Sequence, residues 1–171
     1  LKIETGGSLT VNPGIRLTID GTADFNGQLV ELKSDETGTA SIGTITGTLS
    51  GATNVEAERY IRQNTYRGWR LLAVPVTTAG QTIGESWQEG ATSYTEDPNP
   101  GFGTRITANT GTAVADGYDA QTFGNSLLQR SGTGWSGFTG NLITSKVSRG
   151  TAADAWMIYI RGDRGVDTAG V

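Results

Sequence analysis

Along the first fifty residues, apolar side chains recur in pairs one residue apart, and each pair is followed by Asn or Asp and then a chain breaker. Ser8-Leu9-Thr10-Val11-Asn12-Pro13-Gly14 is echoed by Arg16-Leu17-Thr18-Ile19-Asp20-Gly21-Thr22. Brief alternation ending in a turn signal predicts very short strands with one buried face. Looser units follow at Gln28-Leu29-Val30-Glu31-Leu32-Lys33 and from Ser41 to Leu49. Such strands cannot bury a face singly, so they are expected to stack as rungs of a β-solenoid or to pair as a meander. Asn12-Pro13-Gly14, Asn26-Gly27 and Ser34-Asp35-Glu36-Thr37-Gly38 supply the turns.

The pattern changes near residue 54. Val55-Glu56-Ala57-Glu58-Arg59-Tyr60-Ile61 brings charge and the first tyrosine, and aromatics concentrate beyond it. The two strongest apolar runs are Gly68-Trp69-Arg70-Leu71-Leu72-Ala73-Val74-Pro75 and Ala155-Trp156-Met157-Ile158-Tyr159-Ile160-Arg161, each with the length of a central strand. Pro75 lacks an N–H and belongs at a strand end. Weaker strands are expected around Thr104 to Ala108, Ser126 to Arg130 and Gly134 to Phe138, with a short helix near Gly84 to Glu89. The expected organisation is all-β: a solenoid-like or meander segment over 1–54, then a jelly-roll-like β-sandwich over 55–171.

Composition agrees with that class and narrows the chemistry. The 171 residues can bury about 70% of their unfolded surface, enough for a real core. Glycine, at 26, is matched by threonine, and both disfavour long helices. The chain has no Cys and no His. Nucleophilic catalysis by either, a Ser-His-Asp relay, and zinc or haem held by His or Cys are therefore excluded. A net charge of −4 without a basic cluster does not indicate a nucleic-acid partner. No apolar run approaches the ~20 residues of a transmembrane helix. The start at Leu1-Lys2-Ile3-Glu4, without an initiator Met, suggests part of a longer or processed chain.

Several short motifs carry candidate chemistry. Gly132-Thr133-Gly134-Trp135-Ser136-Gly137 matches G-x-G-x-x-G, but no helical pattern follows to hold a pyrophosphate, so a turn is expected. Arg161-Gly162-Asp163 reads as an integrin-type tripeptide, or as ordinary turn residues closing a strand. Glu85 and Glu89 flank Trp87 at the spacing of a carboxylate pair, which a glycosidase would require. Two exposed acids around a buried Trp is the plainer reading, and no catalytic residue is assigned. Asp35-Glu36, Glu96-Asp97-Pro98-Asn99 and Asp163 to Asp167 are oxygen-rich enough for structural Ca²⁺, although no D-x-D-x-D-G loop is present. Trp69 and Trp156 lie in the apolar runs and are expected in the core. Trp87, Tyr94 and Trp135 sit in polar or Gly-rich settings and are the candidate ligand-binding residues, since aromatics with polar edges suit polysaccharide.

A resemblance runs through nearly the whole chain. Gly6-Gly7-Ser8-Leu9-Thr10-Val11-Asn12-Pro13-Gly14, Leu32-Lys33-Ser34-Asp35-Glu36-Thr37-Gly38-Thr39-Ala40-Ser41 and Glu58-Arg59-Tyr60-Ile61 resemble the run-up segment of large secreted surface proteins of Bacteroidota. Arg67-Gly68-Trp69-Arg70-Leu71-Leu72-Ala73-Val74-Pro75-Val76, Trp87-Gln88-Glu89-Gly90, Pro98-Asn99-Pro100-Gly101-Phe102-Gly103, Gly117-Tyr118-Asp119 and Tyr159-Ile160-Arg161-Gly162-Asp163-Arg164 look like the β-domain that follows it. The resemblance implies export by the type IX secretion route, an extracellular or cell-surface location, and adhesive, matrix or filament roles. It lends no catalytic residues. Asp167-Thr168-Ala169 is similar to the short O-glycosylation motif of that phylum, which makes Thr168 a candidate acceptor. The expected function is a non-catalytic structural or adhesive module, partnered by neighbouring surface-protein domains or copies of itself. The alternative is a carbohydrate-binding module of a larger secreted protein.

Overall fold

The computed structural model describes residues 1–61, 67–75, 81–88, 104–108, 114–119, 124–147 and 155–160. Its regular structure is predominantly β, with one short helix among the described residues. The chain separates into two units, Leu1–Arg62 and Gln63–Val171.

In the first unit the chain makes successive passes that stack in parallel. The first pass holds β1 (Ser8–Val11), β2 (Arg16–Ile19) and β3 (Ala23–Asp24). The second holds β4 (Leu29–Leu32), an inserted antiparallel hairpin of β5 (Ser34–Asp35) and β6 (Gly38–Thr39), then β7 (Ser41–Ile45) and β8 (Leu49–Ser50). A third opens with β9 (Val55–Ala57). The ladders are β1-β4-β9, β2-β7 and β3-β8, all parallel.

Register explains why such short apolar pairs suffice. Leu9, Val30 and Val55 align as one row, and Val11, Leu32 and Ala57 as the next, while Thr10, Glu31 and Glu56 form the polar row between them. On the neighbouring ladder Leu17 meets Ile42, and a one-residue irregularity in β7 brings Ile45 opposite Ile19. Each pair becomes part of a column, and the columns enclose a core of Ile3, Ile19, Ala23, Phe25 and Val30. Full burial of a side chain such as Phe25 is worth roughly 1.5–3 kcal/mol. Turns stack as well: Phe25 N–H donates to the Ser50 carbonyl and Gly27 N–H to the Gly51 carbonyl, both at 2.9 Å. Asn26 and Gly27 turn the chain through consecutive left-handed residues (φ +51° and +68°), which Asn and Gly tolerate best. The charge that enters at residue 54 still belongs to this unit, because β9 pairs with β4.

The second unit contains β10 (Gly68–Ala73), α1 (Ile83–Trp87), β11 (Leu127–Ser131), β12 (Gly134–Gly137) and β13 (Ala155–Ile160). The strands form an antiparallel sheet in the order β10-β13-β11-β12. One face carries Leu72, Trp156, Ile158 and Leu127, packed in a core with Val74, Ile83, Ile106, Ala108, Tyr118, Leu142 and Val147. Of the two strong apolar runs, the later one is central, as β13. The earlier one, β10, lies at the edge of the sheet that the described strands form, instead of at its centre. The segment expected as a strand around Thr104 to Ala108 forms a single parallel bridge, Thr107 to Asp119. Side chains there replace ladder partners: Ile106 N–H donates to Asp119 Oδ2 at 2.7 Å, and Thr107 N–H to Ser126 Oγ at 2.8 Å.

Candidate functional site

The carboxylate pair is the first candidate that side-chain geometry addresses. Thr82 caps α1: its hydroxyl oxygen accepts from Glu85 N–H at 3.2 Å, while the Glu85 carboxylate accepts from Thr82 N–H at 2.8 Å and from its hydroxyl at 3.0 Å. This reciprocal box satisfies helix-end donors. The backbone hydrogen bond from Thr82, then that from its hydroxyl, holds the Glu85 carboxyl below its ordinary value. A glycosidase acid needs the opposite shift. Glu85 therefore has a structural role at the helix start, and Glu89 lies outside the described residues.

The aromatic candidates separate onto opposite faces of the sheet. Trp87 is half-buried and packs edge-on against Trp156, with ring centroids 5.4 Å apart; Phe138 meets Trp156 similarly at 5.2 Å. All three lie on the core side. Trp135, on β12, is directly opposite Arg130 of β11 and belongs to the outer face. Tyr94 lies outside the described residues. Trp87 and Trp135 thus share no platform.

Trp69 corrects the expectation that both run tryptophans are core. Trp156 is 3% exposed, but Trp69 is 40% exposed and Leu71, two residues on, 73%. Trp69 stands edge-on to its cross-strand partner Tyr159, with centroids 5.3 Å apart. Leu71 aligns with Met157, and Met157 with Leu128, so an apolar row crosses the outer face. Apart from Arg70 the run is apolar at both alternating positions, which hid this face. Two signals within it mark an edge strand: Arg70 in the middle and Pro75 just past the end.

A shallow groove of about 370 Å³ runs along the β11–β12 hairpin, lined by Gln129, Ser131, Ser136, Phe138, Thr139 and Gly140 among others. Gln129 and Ser136 are cross-strand partners, and Gln129 also faces Trp156. Tyr118 supports the floor by donating its hydroxyl to the Gly140 carbonyl at 2.7 Å and that of Phe138 at 3.2 Å. Burial, and secondarily the nearby Asp116 carboxylate, push its phenol up to about 12. The groove-lining residues carry one aromatic ring, an amide, a guanidinium and hydroxyls. Sequence reading missed it because its residues converge only when the hairpin forms.

The remaining motifs resolve locally. Gly132-Thr133 is the two-residue turn between Ser131 and Gly134, with Gly132 at φ +58°. Asp35 Oδ1 accepts from Thr37 N–H and hydroxyl at 2.7 and 2.6 Å, and those bonds, the hydroxyl's first, lower its carboxyl. Among the described residues no group of three or more acidic side chains is placed to hold a metal ion. Glu96 to Asn99, Arg161 to Asp163, Asp167 and Thr168 lie outside the described residues. No described helix is long and apolar enough to cross a membrane. No protein-family model matches the chain, and no curated protein or solved structure matches it either.

Proposed function

We propose that this chain is a non-catalytic structural or adhesive module of a secreted bacterial surface protein, exported by the type IX route and acting through surface shape and self-association. In this reading the first unit is a short β-solenoid and the second a jelly-roll-like sandwich. The observation that carries the reading is the parallel stacking of β1, β4 and β9, in which β1 and β9 each have one side that no strand pairs among the described residues. Open strand edges template further strands. Protease shaving of intact host cells, with binding of the purified chain to cells and abiotic surfaces, tests it. Surface exposure with adhesion or assembly supports the proposal; a protein retained inside the cell and inert on every surface overturns it.

A binding-module reading is favoured by the β11–β12 groove, whose lining residues include Phe138 beside Gln129, Arg130 and the hydroxyl residues Ser131, Ser136 and Thr139. Aromatic faces bordered by hydrogen-bonding groups suit sugars. A glycan array probed with the native chain and with Phe138→Ala decides it. Hits that the substitution abolishes support binding at the groove, and an array without hits removes this reading.

A further inference from the structure

The geometry points to a specific self-association surface: the free edge of β10, pairing antiparallel with β10 of a second copy about a two-fold axis at Leu71. The inference rests on the self-association reading and adds to the ladder edges of the first unit a separate edge in the second, with its register. β10 is a terminal strand of its sheet, and among the described residues no strand pairs with its other side. Six residues long and alternately exposed, it carries Leu71 at 73% and Trp69 at 40% exposure. Arg70 and the flanking Pro75 blunt this edge only in part, since Trp69 and Leu71 stay exposed beside it for another strand to cover.

Side chains select the partner and the register. Opposed residues in an antiparallel pair share a face, so a two-fold pairing of β10 with itself must centre on one residue. Centring on Arg70 sets two guanidinium groups directly opposite each other, which is destabilising. Centring on Leu72 brings Pro75 opposite Trp69, where its missing N–H ends the ladder. Centring on Leu71 sets Leu71 against Leu71, the large Trp69 against the small Ala73, and Arg70 against Leu72. The second copy therefore meets complementary sizes and no like charges. The outer apolar row of Leu71, Met157 and Leu128 then continues across the axis.

The absence of cysteine makes the test direct. Opposed Cα atoms in an antiparallel pair lie about 4.5–5.5 Å apart, within the roughly 4.4–6.8 Å that a disulfide spans. Leu71→Cys in the full chain is expected to form a disulfide dimer under mild oxidation, whereas Thr133→Cys, on the hairpin turn at the far edge, stays single-chain. Light scattering on the unmodified chain should show mass rising toward double with concentration. Leu71→Lys should return it to the single-chain mass with its circular dichroism unchanged, since Leu71 is exposed in the single chain. A chain that stays monomeric to its solubility limit overturns both this inference and self-association. Assembly that Leu71→Lys leaves intact, or that Leu71→Cys fails to cross-link, overturns the β10 edge alone.

Discussion

Gly47 donates its backbone N–H to the carbonyl oxygen of Gly21 at 3.2 Å, joining equivalent turns on successive passes of the chain. A Cβ at Gly47 would lie 2.7 Å from the Gly21 carbonyl carbon and 2.8 Å from Thr22 N. Backbone meets backbone there, with no flexible side chain to yield. Gly47→Ala is therefore expected to destabilise the first unit by about 1–3 kcal/mol, as overpacking does. Gly132→Ala isolates a different cost: nothing lies within 4 Å of its Cβ position, and only the left-handed backbone (φ +58°) resists, at roughly 1–2 kcal/mol. Thermal denaturation of both variants checks the pair, at about 2–4 °C per kcal/mol for this chain length.

Thr82→Ala removes the α1 cap and is expected to cost about 0.5–2 kcal/mol. It also removes the donor hydroxyl that helps hold Glu85 below its ordinary value. The titration midpoint of Glu85, followed by NMR, should rise in the variant. A midpoint equal to that of the native chain would show that the box does not set it.

Acid should weaken the first unit in a defined window. Lys33 Nζ lies 2.8 Å from both Glu31 Oε1 and Glu58 Oε1, and Thr10 donates its hydroxyl to Glu31 Oε2 at 2.9 Å. The hydrogen bond from Lys33, then that from Thr10, lowers the Glu31 carboxyl, and the hydrogen bonds to Glu31, then Glu58, raise the Lys33 ammonium. A carboxyl lower in the folded state than the unfolded one gives stability present above the unfolded value, about 4.3, and lost as pH falls through the folded value. Exposed pairs of this kind contribute little and are weakened by salt, so the fall should be shallow and shallower still at high ionic strength. Melting temperatures between pH 6 and 3 should fall less steeply for Glu31→Gln than for the native chain.

Alkali should act on the second unit through Tyr118. Its phenol is raised to about 12, so the neutral form is favoured on folding. That stability is complete below the unfolded value of about 10 and is lost as pH rises toward 12. Tyr118→Phe should remove this component and cost about 1–3 kcal/mol at neutral pH, because the Phe138 and Gly140 carbonyls lose their donor. Denaturant titrations at pH 8 and 11 measure both effects.

Much of the local structure was legible in the chain itself. Leu9-Thr10-Val11 and Leu17-Thr18-Ile19 announce short strands through their alternation, and Asn26-Gly27 announces a left-handed turn. The helix near Gly84 to Glu89 is α1, Ile83–Trp87. The candidate site was less legible. Glu85 belongs to a cap, Trp87 and Trp135 lie on opposite sides of one sheet, and the groove residues Gln129, Ser136 and Phe138 carried no motif.

What the sequence determined by itself is the β class, the turns, and the exclusion of imidazole and thiol chemistry, because backbone preference and side-chain chemistry are properties of short segments or single residues. Only tertiary structure decided that Ser8 pairs in parallel with Leu29, that β13 is central while β10 is an edge, and that Trp156 is buried while Trp69 faces outward. The reason is physical. A run apolar at both alternating positions has two equally apolar faces, and which face is buried depends on distant segments that pair with it and pack against it.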